Sequence, residues 1–175
     1  PDAERSEGSL LASFWSLCRN RMVSLAEGKD LWTPEPELAP WWADDNLERL
    51  FAEYEAWKTE HSYFDFTDML EYAAAHSPSG RWPFFVLDEA QDSTPLQWRV
   101  ANLFATRCDV AYIAGDDDQC LYNWSGASPV DFLGARVAGD DVLSVNHRSG
   151  SVLVDAAQQF IRRNRVRRDK NMTAA

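Results

Sequence analysis

Phe84-Phe85-Val86-Leu87 run without interruption into Asp88-Glu89-Ala90-Gln91-Asp92. Four consecutive apolar residues, too few for a helix and lacking alternation, predict a buried strand over 84–88. Asp88 and Glu89 then stand where the strand ends, the place where open α/β sheets bind ligands. Neighbouring residues of an extended backbone face opposite sides. That lets one carboxylate hold a metal while the other faces a water. Two acids at the end of an apolar strand need a cation or strong donors to offset their desolvation. A solvated turn after a core strand is the plainer alternative.

The flanking sequence places that strand in an α/β context. Residues 10–26 carry apolar side chains at helical spacing, as do residues 44–60, with Asp44 or Asp45 as cap. Between them Pro34, Pro36 and Pro40 break the chain, and Trp32, Trp41 and Trp42 are expected to cover neighbouring helices. Asp65 is the expected cap of a helix through Ala75, broken by His76-Ser77-Pro78-Ser79-Gly80. After the acids, Ser93 or Thr94 caps a helix with Pro95 in its first turn. A second strand, 109–114, leads into Gly115-Asp116-Asp117-Asp118-Gln119. Two strands joined by a helix, each ending in acids, form the βαβ pattern of a parallel sheet. A short helix is expected from Ser128 to about Ala135. A third strand, 142–145, ends at Asn146-His147-Arg148, and Ser149 is the expected cap of a helix through Arg163.

Composition narrows the function classes. The 175 residues are 45% hydrophobic, enough for one domain with a core and a small appendage. No apolar stretch is long enough to span a bilayer, and no signal peptide opens the chain, so no membrane partner is expected. The opening Pro1 suggests a processed or truncated product. Three scattered cysteines, Cys18, Cys108 and Cys120, suit a reducing, cytoplasmic compartment. A net charge of −11 argues against a general nucleic-acid binder. The basic run at 162–170 is the exception. It reads as a solvated helix face or tail, or as a phosphate-contact surface.

An acid pair, a glutamine and an arginine at three strand ends suit phosphoryl transfer. Here the sequence resembles a known family. Leu87-Asp88-Glu89-Ala90-Gln91-Asp92 resembles motif II of the UvrD/Rep/PcrA group of superfamily 1 helicases. Residues 115–127, Gly-Asp-Asp-Asp-Gln-Cys-Leu-Tyr-Asn-Trp-Ser-Gly-Ala, are similar to motif III. Leu143-Ser144-Val145-Asn146-His147-Arg148-Ser149 resembles motif IV, and residues 64–70 resemble the segment preceding motif II. The resemblance covers roughly residues 45–165.

It implies a partial RecA-like P-loop NTPase motor domain, α/β with a parallel sheet, preceded by part of an inserted helical subdomain. Residues 1–62 would be the end of that subdomain, and 63–175 the later half of the first motor domain. It further implies ATP and Mg²⁺ as cofactors, with single-stranded DNA and DNA duplex junctions as partners. Translocation would run 3′ to 5′, with DNA repair among the settings. Asp88 would hold Mg²⁺ through its water shell and Glu89 would activate the attacking water. Gln119 would sense the γ-phosphate, and Arg148 would act as an arginine finger. Tyr122 and Trp124 would stack on bases. His147 stands where the family has Tyr packing on adenine, and imidazole offers less area. Ser125 stands where Arg is common.

No Gly-x-x-x-x-Gly-Lys-Ser/Thr loop occurs; the one Gly-Lys, Gly28-Lys29, is followed by Asp30. The chain is therefore expected to be a helicase fragment, inactive alone, with the phosphate-binding loop supplied in cis or by a partner. Two alternatives are a metal-dependent nuclease or phosphohydrolase using Asp88, Glu89 and Asp116–Asp118, and a non-catalytic DNA- or partner-binding remnant.

Overall fold

The computed structural model describes residues 6–32, 38–42 and 46–175. Pro34, Pro36, Asp44 and Asp45 lie outside them. Helix α1 (Glu7–Arg21) starts at Ser6, whose hydroxyl accepts the Ser9 N–H. It ends at Met22, in the left-handed conformation with φ 58°, where the Met22 N–H returns to Arg19 and the Val23 N–H to Cys18. A capping box of Ser24 and Glu27 then opens α2 (Leu25–Leu31). The single helix expected over 10–26 is thus two, because left-handed Met22 and the Ser24 cap outweigh the apolar periodicity.

After α3 (Ala39–Trp42) comes α4 (Asn46–His61). Leu10, Leu11, Phe14 and Cys18 of α1 bury against Leu38, Leu47 and Phe51. Trp32, Trp41 and Trp42 pack around this cluster, as expected, and Phe14 meets the rings of Trp32, Trp42 and Phe51.

Asp65 and Asp68 form the capping box of α5 (Phe66–Ala75). Their carboxylates also receive two buried cations. Lys58 lies 2.8 Å from both Asp65 and Asp68, and Arg19 reaches Asp65 at 3.0 Å, Glu71 at 2.7 Å and also Asp68. This network ties α1 and α4 to α5. Burial would drag the Arg19 and Lys58 pKa values down, but the carboxylate contacts hold both above their ordinary range.

Strand β1 (Trp82–Leu87) pairs in parallel with β2 (Cys108–Ile113) across α6 (Pro95–Ala105). Thr94 and Gln97 supply the α6 capping box, with Pro95 in the first turn. Both strands begin earlier than the apolar runs suggest. They are also less buried than expected: Phe84, Val86, Val110 and Tyr112 are exposed on one face. Helix α6 covers the other, where Phe85 stacks near Phe104. The continuous apolar runs suit a sheet covered on both faces, and the described residues cover one.

Helix α7 (Pro129–Leu133) follows, capped by Ser128. Strand β3 is confined to Val145–Asn146 and pairs in parallel with β4 (Thr173–Ala174), in a sheet separate from β1–β2. Between them lies α8 (Ser151–Ile161), whose N-cap is Gly150, not Ser149. Asn146 takes over that loop: its side-chain oxygen accepts the N–H groups of Arg148 at 2.9 Å and Ser149 at 2.8 Å.

Candidate active site

The ends of β1 and β2 are in register, Leu87 against Ile113. Pairing continues one step beyond, where Ala114 N–H donates to Leu87 O at 2.8 Å and Ala90 N–H to Ala114 O at 2.9 Å. Asp88-Glu89 and Gly115–Gln119 therefore leave the sheet side by side. Glu89 does not continue the strand. Its φ of 50° is left-handed, a conformation that costs a non-glycine residue about 1–2 kcal/mol and that clusters at functional sites. The expected opposite-facing pair in extended backbone is replaced by a sharp turn into Ala90–Asp92. Asp88 and Glu89 are both exposed. Asp88 Oδ1 accepts the Glu89 N–H at 3.0 Å.

Gln91 is what holds this turn, and no role was read for it from the sequence. It is 1% exposed. Its amide nitrogen donates to Glu89 Oε2 at 2.9 Å and Asp92 Oδ2 at 3.2 Å. Its amide oxygen accepts the Asp116 N–H at 2.9 Å, and its backbone carbonyl accepts Cys120 Sγ at 3.2 Å. Gly115 makes room for it, since a Cβ there would fall 2.6 Å from Gln91 Oε1. A neutral amide set within the acidic string 88–92 was the available signal.

Asp116 opens a short turn, Asp117–Gln119, and its carboxylate takes the Asp118 N–H at 3.1 Å and the Gln119 amide at 2.7 Å. The basic run folds onto these acids. Arg167 forks onto both oxygens of Asp118 at 3.0 Å. Lys170 Nζ stands among all three acids, 2.6 Å from Asp117 and 3.0 Å from Asp118, and also bonds Asp116. The Arg168 N–H meets Asp117 Oδ2 at 2.7 Å. Part of the run is therefore neither solvated tail nor phosphate surface. Burial would raise the Asp116 and Asp118 pKa values, but the hydrogen bonds from Lys170, Gln119 and Arg167 outweigh it and hold both low. Burial would likewise lower Lys170, which the three acids hold above its ordinary value. Asp116–Asp118 thus already surround a cation of the chain itself, and among the described residues Asp88 and Glu89 belong to no cluster of metal-ligating side chains.

The remaining candidates are at the surface. Tyr122 and Trp124 lie edge to face with centroids 6.1 Å apart, and Trp124 is 72% exposed, which excludes a core role. Exposed His147 and Arg148 follow β3. Among the described residues neither side chain makes a hydrogen bond or ion pair. The third strand end is thus not an extension of the β1–β2 edge; the segment 167–174 joins it to the acids after β2. One exposed carboxylate at a strand end suits Mg²⁺, which keeps most of its waters and takes one or two protein carboxylates. Asp88 provides such a group.

Comparisons with known proteins identify the family. Residues 5–137 match the UvrD/REP helicase N-terminal domain. The chain is similar to the putative ATP-dependent DNA helicase YjcD of Bacillus subtilis, 30% identical over 143 residues, covering 73% of this chain and 18% of that protein. It is 36% identical over 92 residues to the ATP-dependent DNA helicase UvrD2 of Mycobacterium tuberculosis, covering 46% of this chain and 13% of the relative. Against the RecBCD enzyme subunit RecB of Mycolicibacterium smegmatis it is 36% identical over 84 residues, 47% of this chain and 8% of RecB. The chain spans less than a fifth of the length of each of these relatives. A match over most of the chain makes it a member of the UvrD/REP DNA helicase family.

Proposed function

We propose that this chain is the later half of the first RecA-like motor domain of an ATP-dependent DNA helicase or translocase. Residues 1–62 would close an inserted helical subdomain, and 63–175 would carry the motor residues. The observation that carries this reading is the register of β1 with β2, which sets Asp88-Glu89 beside Asp116–Gln119.

Bound Mg²⁺ and ATP would supply the electrophilic phosphoryl group. Asp88 would hold the metal through its water shell. Glu89 would accept the proton of the attacking water. Its Oε2 is engaged by Gln91, which fixes the carboxylate's direction and leaves Oε1 for a water. Gln119 would contact the γ-phosphate, Arg148 would stabilise charge developing on it, and His147 would stack on adenine. Tyr122 and Trp124 would grip single-stranded DNA by stacking, independent of sequence. Movement would run 3′ to 5′, with duplex junctions as the unwinding substrate and the cytoplasm as the compartment. The phosphate-binding loop must come from residues outside this chain.

The test is DNA-stimulated ATP hydrolysis by the complete natural polypeptide carrying these residues. Turnover that rises with single-stranded DNA and is abolished by Glu89→Gln supports the reading. Turnover unaffected by Glu89→Gln, or DNA cleavage with Mg²⁺ and no nucleotide, overturns it.

A further inference from the structure

The segment 167–175 makes three successive attachments. Lys170 and Arg167 hold the acids after β2. Two residues on, Met172 exchanges hydrogen bonds with the side chain of Gln158 on α8, its carbonyl accepting at 2.7 Å and its N–H donating at 2.9 Å. Thr173 and Ala174 then pair with Val145 and Asn146, with Thr173 N–H on Ser144 O at 2.8 Å and Ala175 N–H on Asn146 O at 3.0 Å. Asn146 fixes the Arg148 backbone, and Asp116 fixes the Gln119 side chain. One short strap thus runs from the partner of Gln119 to the partner of Arg148.

We propose that Lys170 is a positioning residue, which through this strap sets the separation of Gln119 and Arg148. The inference rests on the functional reading above for its catalytic consequence, but its structural content does not. The ammonium is well suited to the task. It is largely buried and gathers three carboxylates; Asp118 also has Arg167, but among the described residues Lys170 is the one cation paired with Asp116 and Asp117, so shifting it would leave their charges uncompensated. The strap beyond it has only two residues before β4. Movement of Lys170 therefore has little slack to absorb it before β3 is reached.

Backbone and side-chain amide spectra of the 175-residue chain test the coupling directly. Lys170→Met is expected to shift the Gln119 side-chain amide together with the Arg148 and Ser149 backbone amides, and Lys170→Arg to restore them. Should Lys170→Met abolish cooperative unfolding, Gln158→Ala decides, since it cuts the strap without removing charge. It should move the Arg148 and Ser149 amides. Unmoved Arg148 and Ser149 amides in the folded variant overturn the proposal. In the complete polypeptide, Lys170→Met should lower kcat about ten- to a hundredfold with KM for ATP little changed, and Lys170→Arg should recover it. An effect confined to a raised KM with kcat unchanged, or no rescue by arginine, also overturns it. If Glu89→Gln leaves turnover intact, the functional reading fails instead, and the spectral result stands on its own.

Discussion

The side-chain oxygen of Gln91 accepts the backbone N–H of Asp116 at 2.9 Å, joining the turn after β1 to the turn after β2. Because the same side chain donates to Glu89, a fully buried neutral amide orients an exposed carboxylate. Gln91→Leu keeps the volume and removes both functions. The Asp116 N–H would then lack its partner, at a cost of about 1–3 kcal/mol. Urea unfolding of the two chains should show that loss, and an unchanged midpoint would refute the bridging role.

Gly28 of α2 faces Cys18 of α1, and a Cβ on Gly28 would lie 2.3 Å from Cys18 Sγ. Cys18 is 1% exposed, and burial pushes its thiol up to about 11. Gly28→Ala should therefore destabilise by about 1–3 kcal/mol through overpacking, despite the ~1 kcal/mol gain in helix propensity. Adding Cys18→Ala should recover most of the loss, so the two changes will not be additive in chemical denaturation. A thiol reagent should modify Cys18 only on unfolding.

The buried cations Arg19 and Lys58 make stability depend on pH at both extremes. Burial works to raise the Asp65 and Asp68 pKa values, but Lys58 and Arg19 bring both below the ordinary 3.8. Their contribution is present above the unfolded value and lost as pH falls through the lowered folded values. Lys58 is shifted upward from 10.5, so its contribution is complete below that pH and lost as pH rises through the raised folded value. Thermal unfolding should show a plateau between these limits. Arg19→Met breaks the network and should cost about 3–5 kcal/mol at pH 7, with a shallower acid limb. A variant retaining the full acid limb would refute this assignment.

Trp124 is free of the core, so its removal should leave folding intact and, on the functional reading proposed above, weaken DNA binding. Trp124→Ala is expected to weaken oligothymidine binding by about 1–3 kcal/mol, read by fluorescence anisotropy at low salt. Tyr122→Phe retains its ring and should bind almost normally. Equal affinity of Trp124→Ala and the parent chain would remove stacking from the functional proposal.

Local signals in the sequence were strong enough to determine much of this protein. The apolar runs before Asp88 and Gly115 specified two parallel strands. Asp65 and Thr94 with Pro95 marked two helix starts, and the motif strings identified the family. These features act within a few residues, through period, capping and the φ of proline. Tertiary structure alone decided the rest. Met22 divided the first helix, and β3 found its partner 28 residues away at β4. Gln91 became the link between the strand-end turns, and the basic run closed on Asp116–Asp118. Each of these depends on which distant group satisfies a buried donor or charge. Composition reports that such groups exist; only the folded chain brings Lys170 among three carboxylates and leaves Arg148 exposed.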